Sequence, residues 1–495
     1  MSSSAPDQAT RWRSSAPLIA ALGLATMVVS MAQTQVVPIL PLLAHDLHAS
    51  SSGVSWITTA TLLSAAVFTP LLGRVGDLYD KKRTLLAVLA VMIAGSLLAA
   101  TTTSLPLLIA GRALQGAATA IFPLALSIIR DQLPAERLSG AMALVSSALA
   151  VGSGLSLVLT GLLTQGTSPD YHAVFWISAA LAALALVAVA FLAPASRRGP
   201  GGRTDYLGAL TLTGLLILLL LGISQGRTWG WTSAATLGCL TAACLLAALF
   251  ALVEHKVAEP LVDMRILTSR QIAFTNVAGL LVGFAMFAQF IGISTLAQTP
   301  RSLTGYGFSA SVLRASVEYL LPGSLIALIV AQAGGILVRK TSARTTLALG
   351  TLIGVAGFAL LTFAHDSSNT VISAGLLTGT SISLAYAAMP ALIAASVPPH
   401  ETGIANGINS VSRSTGSAIG SAVVTSLLTT NTLHDPPPGI PALPQEGQLT
   451  LTFAIGMTAL LLALPATLIG ITKPTPTTPR GRVREVQTEA LDGSR

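Results

Sequence analysis

Charge is scarce in this 495-residue sequence: Asp, Glu, Lys and Arg together make up 9% of it, and aromatic residues only 5%. Soluble domains carry about 25% charged residues, so an ordinary water-facing surface is excluded. Lys is scarcer still, with five copies, and no basic run is interleaved with aromatic rings. The net charge of +8 therefore does not read as a nucleic-acid surface. Cys occurs twice, as Cys239 and Cys244 within one apolar stretch, which rules out a disulfide framework and leaves packing or lipid-facing roles. There is no H-E-x-x-H and no G-x-x-x-x-G-K-[ST], the seven His residues fall in predicted loops, and carboxylates are nearly absent from the apolar runs. A membrane-embedded enzyme needs a nucleophile, metal or acid cluster at a common depth, and a nucleotide-driven pump needs a phosphate loop. Neither is provided, so no catalytic residue, metal, cofactor or ATP is expected.

What is present in quantity is hydrophobic sequence, 52% of residues, at a mean hydropathy of +0.74. It is arranged in runs of about twenty residues, the length that spans a bilayer as a helix. Fourteen such runs can be counted: six within residues 16–193, a pair within 207–253, and six within 272–471. Residues 1–15 are polar and carry Arg11 and Arg13, and the run that follows is too long for a signal peptide and lacks a small-residue cleavage site, so it reads as a retained first span.

The loops supply an independent check, because loops retained on the cytoplasmic side hold the Lys and Arg. With the N-terminus inside and fourteen spans, 22 of the 27 basic residues fall on inside segments, two (Arg227 and Arg301) outside, and three (Arg112, Arg314 and Arg413) within spans. Both termini are then cytoplasmic, and the basic balance is a topology signal, with anionic headgroups as a secondary partner.

An internal repeat is visible when residues 110–153 are laid beside 374–417, an offset of about 264. Each copy has a small-residue helix containing Pro, then an acidic turn, Leu133-Pro134-Ala135-Glu136-Arg137 in one and Val397-Pro398-Pro399-His400-Glu401-Thr402 in the other, then a Gly- and Ser-rich span. The copies are separated by an even number of spans and so share an orientation. The expected fold is all-α and integral to the membrane: a six-helix bundle (16–193), a linker with two extra helices and a cytoplasmic amphipathic segment (194–271), a second six-helix bundle (272–471) related to the first by a parallel pseudo-repeat, and a disordered cytoplasmic tail (472–495).

With these residues in view, the chain resembles the major facilitator superfamily over nearly its whole length, specifically the fourteen-helix drug:proton antiporter branch. The loop after the second span follows the family pattern G-x-L-A-D-R-x-G-R-K at Gly73, Val75, Gly76, Asp77, Lys81 and Lys82, departing at Leu78 and Asp80. The fourth span matches R-x-x-Q-G with Arg112, Gln115 and Gly116. Of the fifth-span motif G-x-x-x-G-P-x-x-G-G, Gly152 and Gly161 remain, and the usual first-span acid is replaced by Ala32. The resemblance implies a monomeric secondary transporter in the cell (inner) membrane that exports small organic molecules, drugs or antibiotics, driven by the proton gradient. An uptake or facilitative transporter of a metabolite is the alternative.

Candidate site residues follow. Asp77 stands at a helix C-terminus, where the macrodipole disfavours an anion; with Gly73, Lys81 and Lys82 it reads as a latch between the two halves, or, with Asp80, as a cap on the third helix. Arg112 and Arg413 lie too deep to reach water easily and read either as groups that tune coupling or touch substrate, or as hydrogen-bond hubs. Glu318 is the one acidic residue placed well inside a span; it reads as a proton carrier, a contact for a cationic substrate, or the partner of Arg314 one turn away. Gln33, Gln35, Gln115, Gln289 and Asn409, with Phe122, Phe284 and Tyr386, are either the lining of a mostly apolar cavity or interhelical hydrogen bonds. Gly152 and Gly161 are expected to pack the fifth span closely on its neighbours.

Overall fold

A backbone amide in hydrocarbon must find its partner within its own segment, and among the described residues this chain does so with helices, plus a single bridge between Thr432 and Pro444. The computed structural model describes residues 8–165, 170–194, 205–257, 264–397, 402–432 and 443–470. Within them the long helices are α1 (Ala16–Asp46, broken by turns near Pro38), α2 (Ser51–Leu78), α3 (Lys81–Thr101), α4 (Leu105–Gln132), α5 (Ala135–Leu163), α6 (His172–Leu192) and α7 (Tyr206–Trp229). The others are α8 (Ala234–Lys256), α9 (Arg270–Gln298), α10 (Val312–Lys340), α11 (Ala343–Phe363), α12 (Ser368–Ala394), α13 (Thr402–Leu428) and α14 (Glu446–Gly470).

Helix starts are written in the sequence. Ser50, Asp80, Asp205, Ser233, Ser311 and Ser342 each accept the backbone N–H three residues ahead, satisfying a donor that the first turn leaves open. Asp80 is thus the cap of α3.

Twelve of these helices are long and apolar enough to cross a membrane. The expectation of fourteen is met in helix placement and missed in composition by two. In α7 the apolar stretch is Leu207–Ile223, 17 residues. α13 has 27 residues but carries Asn406, Asn409, Ser410, Arg413, Ser414, Thr415 and Ser417. A helix that polar is stable at membrane depth only when other helices cover it, and α13 packs on α9, α2 and α7.

The packing has a period of eight helices. α1 packs on α5 and α6, α3 on α4 and α6, and α2 on α4; eight helices on, α9 packs on α13 and α14, α11 on α12 and α14, and α10 on α12. Two further contacts join these sets, α2 with α13 and α5 with α10, and they exchange with each other under the same relation. α7 and α8 pack together, and α7 leans on α2 and α13.

Small residues set the closest approaches. A Cβ on Gly152 would strike the Met27 carbonyl, and one on Gly416, about 264 residues later, would strike that of Leu280, so the repeat places α5 on α1 and α13 on α9 in the same way. Gly161 brings α5 against Leu313 of α10, where a Cβ would lie 2.8 Å from that residue's Cα. Both fifth-span glycines therefore sit at backbone approaches that no other residue allows.

Candidate functional site

Arg112, 1% exposed, is the largest fully buried side chain among the described residues. Its Nη1 donates to the Ala32 carbonyl at 2.8 Å and to Gln115 Oε1 at 2.6 Å, and its Nε to the Ile57 carbonyl at 3.3 Å. Gln115 Nε2 donates in turn to Ser96 Oγ at 2.8 Å. The sequence places these groups for a reason: Ala32 is among the last four residues of the helix Gln8–Thr34, whose carbonyls lack intrahelical donors, and a cation at a helix C-terminus also meets the macrodipole favourably. One side chain so ties α4 to α1 and α2, and Gln115 adds α3.

Arg413 sits differently. It is half-buried on α13, donates from Nη1 to Asn409 Oδ1 at 2.8 Å and from Nη2 to Ser410 Oγ at 3.1 Å, and lies over the Tyr386 ring with Cζ 4.8 Å from the centroid. Asn409 Nδ2 donates to Asn276 Oδ1 at 3.1 Å and to the Thr275 carbonyl at 3.3 Å, and Tyr386 Oη approaches Met286 Sδ at 3.5 Å. The centre therefore draws on α9, α12 and α13. Arg112 and Arg413 do not occupy equivalent places in the two halves, because α13 corresponds to α5 and not to α4.

Beside this centre a small pocket of about 10 Å³ lies between α9, α11, α12 and α14, lined by Val282, Met286, Gln289, Phe358, Ser381 and Leu460. Sites for drug-sized ligands occupy about 300–1,000 Å³, so in this conformation the space is nearly closed. Gln289 Oε1 is buried with no hydrogen-bond partner, and an amide in that condition costs free energy until a ligand or water meets it. Tyr386 and Asn409 meet through Arg413, whereas Gln289 stands apart, 13 residues along α9 from the Asn276 that holds Asn409, about 20 Å at the helical rise. Gln115 and Gln35 are not part of this group: the first is spent on Arg112 and Ser96, the second accepts from Ser178 Oγ at 2.5 Å and joins α1 to α6. Gln33 and Phe122 are half-buried on α1 and α4, and Phe284 is buried where α9 meets Gly420.

Where α2 ends and α3 begins, Lys81 Nζ donates to Asp131 Oδ2 at 2.6 Å, and Lys82 Nζ donates to the carbonyls of Ala190 and Ala193 at 2.8 and 2.6 Å. These partners belong to the ends of α4 and α6, so both lysines brace the first six helices, Lys82 by meeting open carbonyls at a helix C-terminus. Gly73 has open space around it; the Asp77 side chain lies outside the described residues.

Glu318 departs from expectation. Its side chain is 32% exposed and is held by Arg314, whose Nε donates to Oε2 at 2.6 Å and whose Nη2 donates to Oε1 at 3.3 Å. The reason is local: within a π-helical segment, Ala315–Leu320, the i,i+4 pair closes on itself. The buried acids are instead Asp205 and Glu254, 8% and 3% exposed, at facing ends of α7 and α8, where a methyl on Gly208 would collide with both carboxylates. Apolar-run boundaries placed them in loops; the D-x-x-G cap signature at Asp205 was the available clue.

The family model of the Major Facilitator Superfamily matches residues 22–421 and 275–490. The chain belongs to that superfamily. Among curated relatives, the tetracenomycin C resistance and export protein of Streptomyces glaucescens is 27% identical over 412 residues, 82% of this chain and 75% of the relative. Multidrug resistance protein 3 of Bacillus subtilis is 26% identical, over 77% and 74%, and the lincomycin resistance protein of Streptomyces lincolnensis 28% identical, over 86% of both. Among solved structures, the human organic anion transporter MFSD10 (TETRAN) superposes with a TM-score of 0.64 at 16% identity, covering 91% of this chain and 99% of that one, which shows a shared fold. As a member of the superfamily this chain is a multi-pass membrane transporter.

Proposed function

We propose that this transporter exports small organic molecules of the drug or antibiotic class from the cell, using the proton gradient. Its likeness to relatives named for resistance and export, across most of both chains, carries the reading. The half-open centre of Arg413, Tyr386 and Asn409, with the largely apolar pocket that Gln289 lines further along α9, suits an amphipathic molecule that offers a ring or an acceptor. The eight-helix period of the packing supports two six-helix bundles, residues 16–193 and 272–471, that rock about that centre, with α7 and α8 as an inserted pair. In this reading all fourteen helices cross the inner membrane and the chain works as a monomer with both termini in the cytoplasm. The latch of Gly73, Asp77, Lys81 and Lys82 belongs to the same reading, Lys81 and Lys82 holding the inner loop on α4 and α6.

Glu318 is assigned the coupling role, since it places a carboxylate within α10 paired with Arg314. A potential of 100 mV supplies about 2.3 kcal/mol per charge moved, roughly fifty-fold accumulation.

Inverted membrane vesicles loaded with amphipathic compounds, with and without an imposed pH gradient, test the whole reading. Uphill accumulation that collapses with the gradient is expected. Its absence across the panel would remove export, and accumulation indifferent to the gradient would remove the proton. Topology is read separately by impermeant maleimide on Pro200→Cys and Pro437→Cys in a cysteine-free background, with only position 437 labelled in intact cells.

A further inference from the structure

We infer that the outer face carries a divalent-metal site made by His365, Asp366 and Glu446. The residues come from two places far apart in sequence: His365 and Asp366 form the turn between α11 and α12, and Glu446 is the first residue of α14. One ligand atom from each lies within 4.8 Å of the others.

His365 is the observation that turns two carboxylates into a site. It is 8% exposed, and its Nδ1 bonds the Leu361 carbonyl at 2.9 Å. A carbonyl only accepts, so Nδ1 bears a proton and Nε2 is the ring atom left to bind a metal. Nε2 lies 3.3 Å from Glu446 Oε1 but out of line for a hydrogen bond, and is buried without one. With the ring neutral, two electron-rich atoms this close repel unless a cation stands between them.

The distance identifies the kind of cation. Zinc bound at about 2.0–2.1 Å from nitrogen and carboxylate oxygen places its ligand atoms about 3.4 Å apart on a tetrahedral edge, close to the 3.3 Å observed. The second shell is also in place, because metal-binding histidines commonly donate their other ring N–H to a backbone carbonyl. The ring is further fixed by Phe453 of α14, with centroids 6.3 Å apart. Asp366, exposed on its turn, closes a third position, and water completes the fourth. Tyr306 donates to the Pro444 carbonyl two residues before Glu446; burial, with Glu446 adding to it, holds its phenol proton up to about 12, so this brace persists at any physiological pH. One imidazole and two carboxylates suit Zn²⁺ or a similar first-row divalent ion. Because all three ligands belong to α11, α12 and α14 and their turns, the ion clamps those outer ends together.

The test uses tag-free, full-length transporter in detergent, stripped with chelator and titrated with ZnCl₂, with zinc counted after desalting and the visible spectrum recorded after Co²⁺ loading. One zinc per chain is expected, with Co²⁺ bands of a nitrogen- and oxygen-ligated site. His365→Gln and Glu446→Gln should each weaken binding by about 100-fold or more and abolish those bands, and Asp366→Asn by about tenfold; outer-shell losses alone cost 10–100-fold. Thermal unfolding should rise with zinc in the wild type and not in Glu446→Gln. Wild-type protein that retains no zinc, or His365→Gln that binds it undiminished, would overturn the site. If the buried His365 variant does not fold, Asp366→Asn on the exposed turn carries the same comparison, and undiminished binding there with no Co²⁺ bands in the wild type overturns it equally.

Discussion

Arg112 and Arg413 are both arginines inside helices, yet one is sealed and the other is open. Arg112 meets two backbone carbonyls and Gln115 and has no face left; Arg413 meets an amide and a hydroxyl and spreads its plane over Tyr386 with part of its surface free. Taking a guanidinium out of water costs several kcal/mol, and the two sites recover that cost in different ways. The first does so with contacts that position helices. The second does so partly with a ring face, which a ligand can share or replace. The contrast teaches that an intramembrane charge marks a functional centre only when its surroundings leave it something to bind.

The sharpest way to break the contrast is Arg112→Gln. Each hydrogen bond to a charged group contributes about 1.5–3 kcal/mol, and losing them leaves the Ala32 carbonyl and Gln115 Oε1 short of a donor. A loss of about 3 kcal/mol or more, seen as poor expression and a much lower melting temperature by fluorescence-detected size exclusion, is expected. A variant with wild-type stability that has lost transport would show that Arg112 acts in coupling.

Glu318→Gln comes next. Folding and substrate binding should survive while gradient-driven export falls to background in vesicles; export at the wild-type rate would return the Arg314–Glu318 pair to a purely structural role. Arg413→Gln should leave the melting temperature within a few degrees but raise KM about tenfold for aromatic or anionic substrates. If it unfolds the protein as Arg112→Gln does, the two arginines are alike after all.

Packing offers a symmetric comparison. Gly152→Ala and Gly416→Ala press a methyl into equivalent carbonyls, and each should cost about 1–3 kcal/mol, measured as paired shifts in thermal unfolding. Unequal shifts would mean that the two halves tolerate helix separation differently. The smallest effect is expected from Tyr386→Leu, which removes a cation–π contact of about 0.5–2 kcal/mol; substrate affinity should fall about threefold to tenfold, and Tyr386→Phe should restore it.

Much of the architecture was legible in the sequence because lipid simplifies the problem: every long apolar run must be a helix, and Arg and Lys mark the inner loops. Helix starts at Ser50, Asp80 and Ser342, the offset of about 264 that pairs Gly152 with Gly416, and the superfamily all follow from local patterns. In α13 the run was legible although it is rich in Asn and Ser, residues that a helix at membrane depth tolerates when other helices cover it. Position misled at Glu318, where lying within a span said nothing about its partial exposure or its pair with Arg314. The tertiary structure alone decided which polar groups meet. Gln115 is consumed by Arg112, Gln289 is left with an orphaned oxygen beside a cavity, Asp205 finds Glu254, and His365 faces Glu446 across a long sequence separation. Local sequence sets whether a residue lies in a helix and at what depth, whereas the partner of a buried polar group is set by how helices cross, which depends on side chains on both.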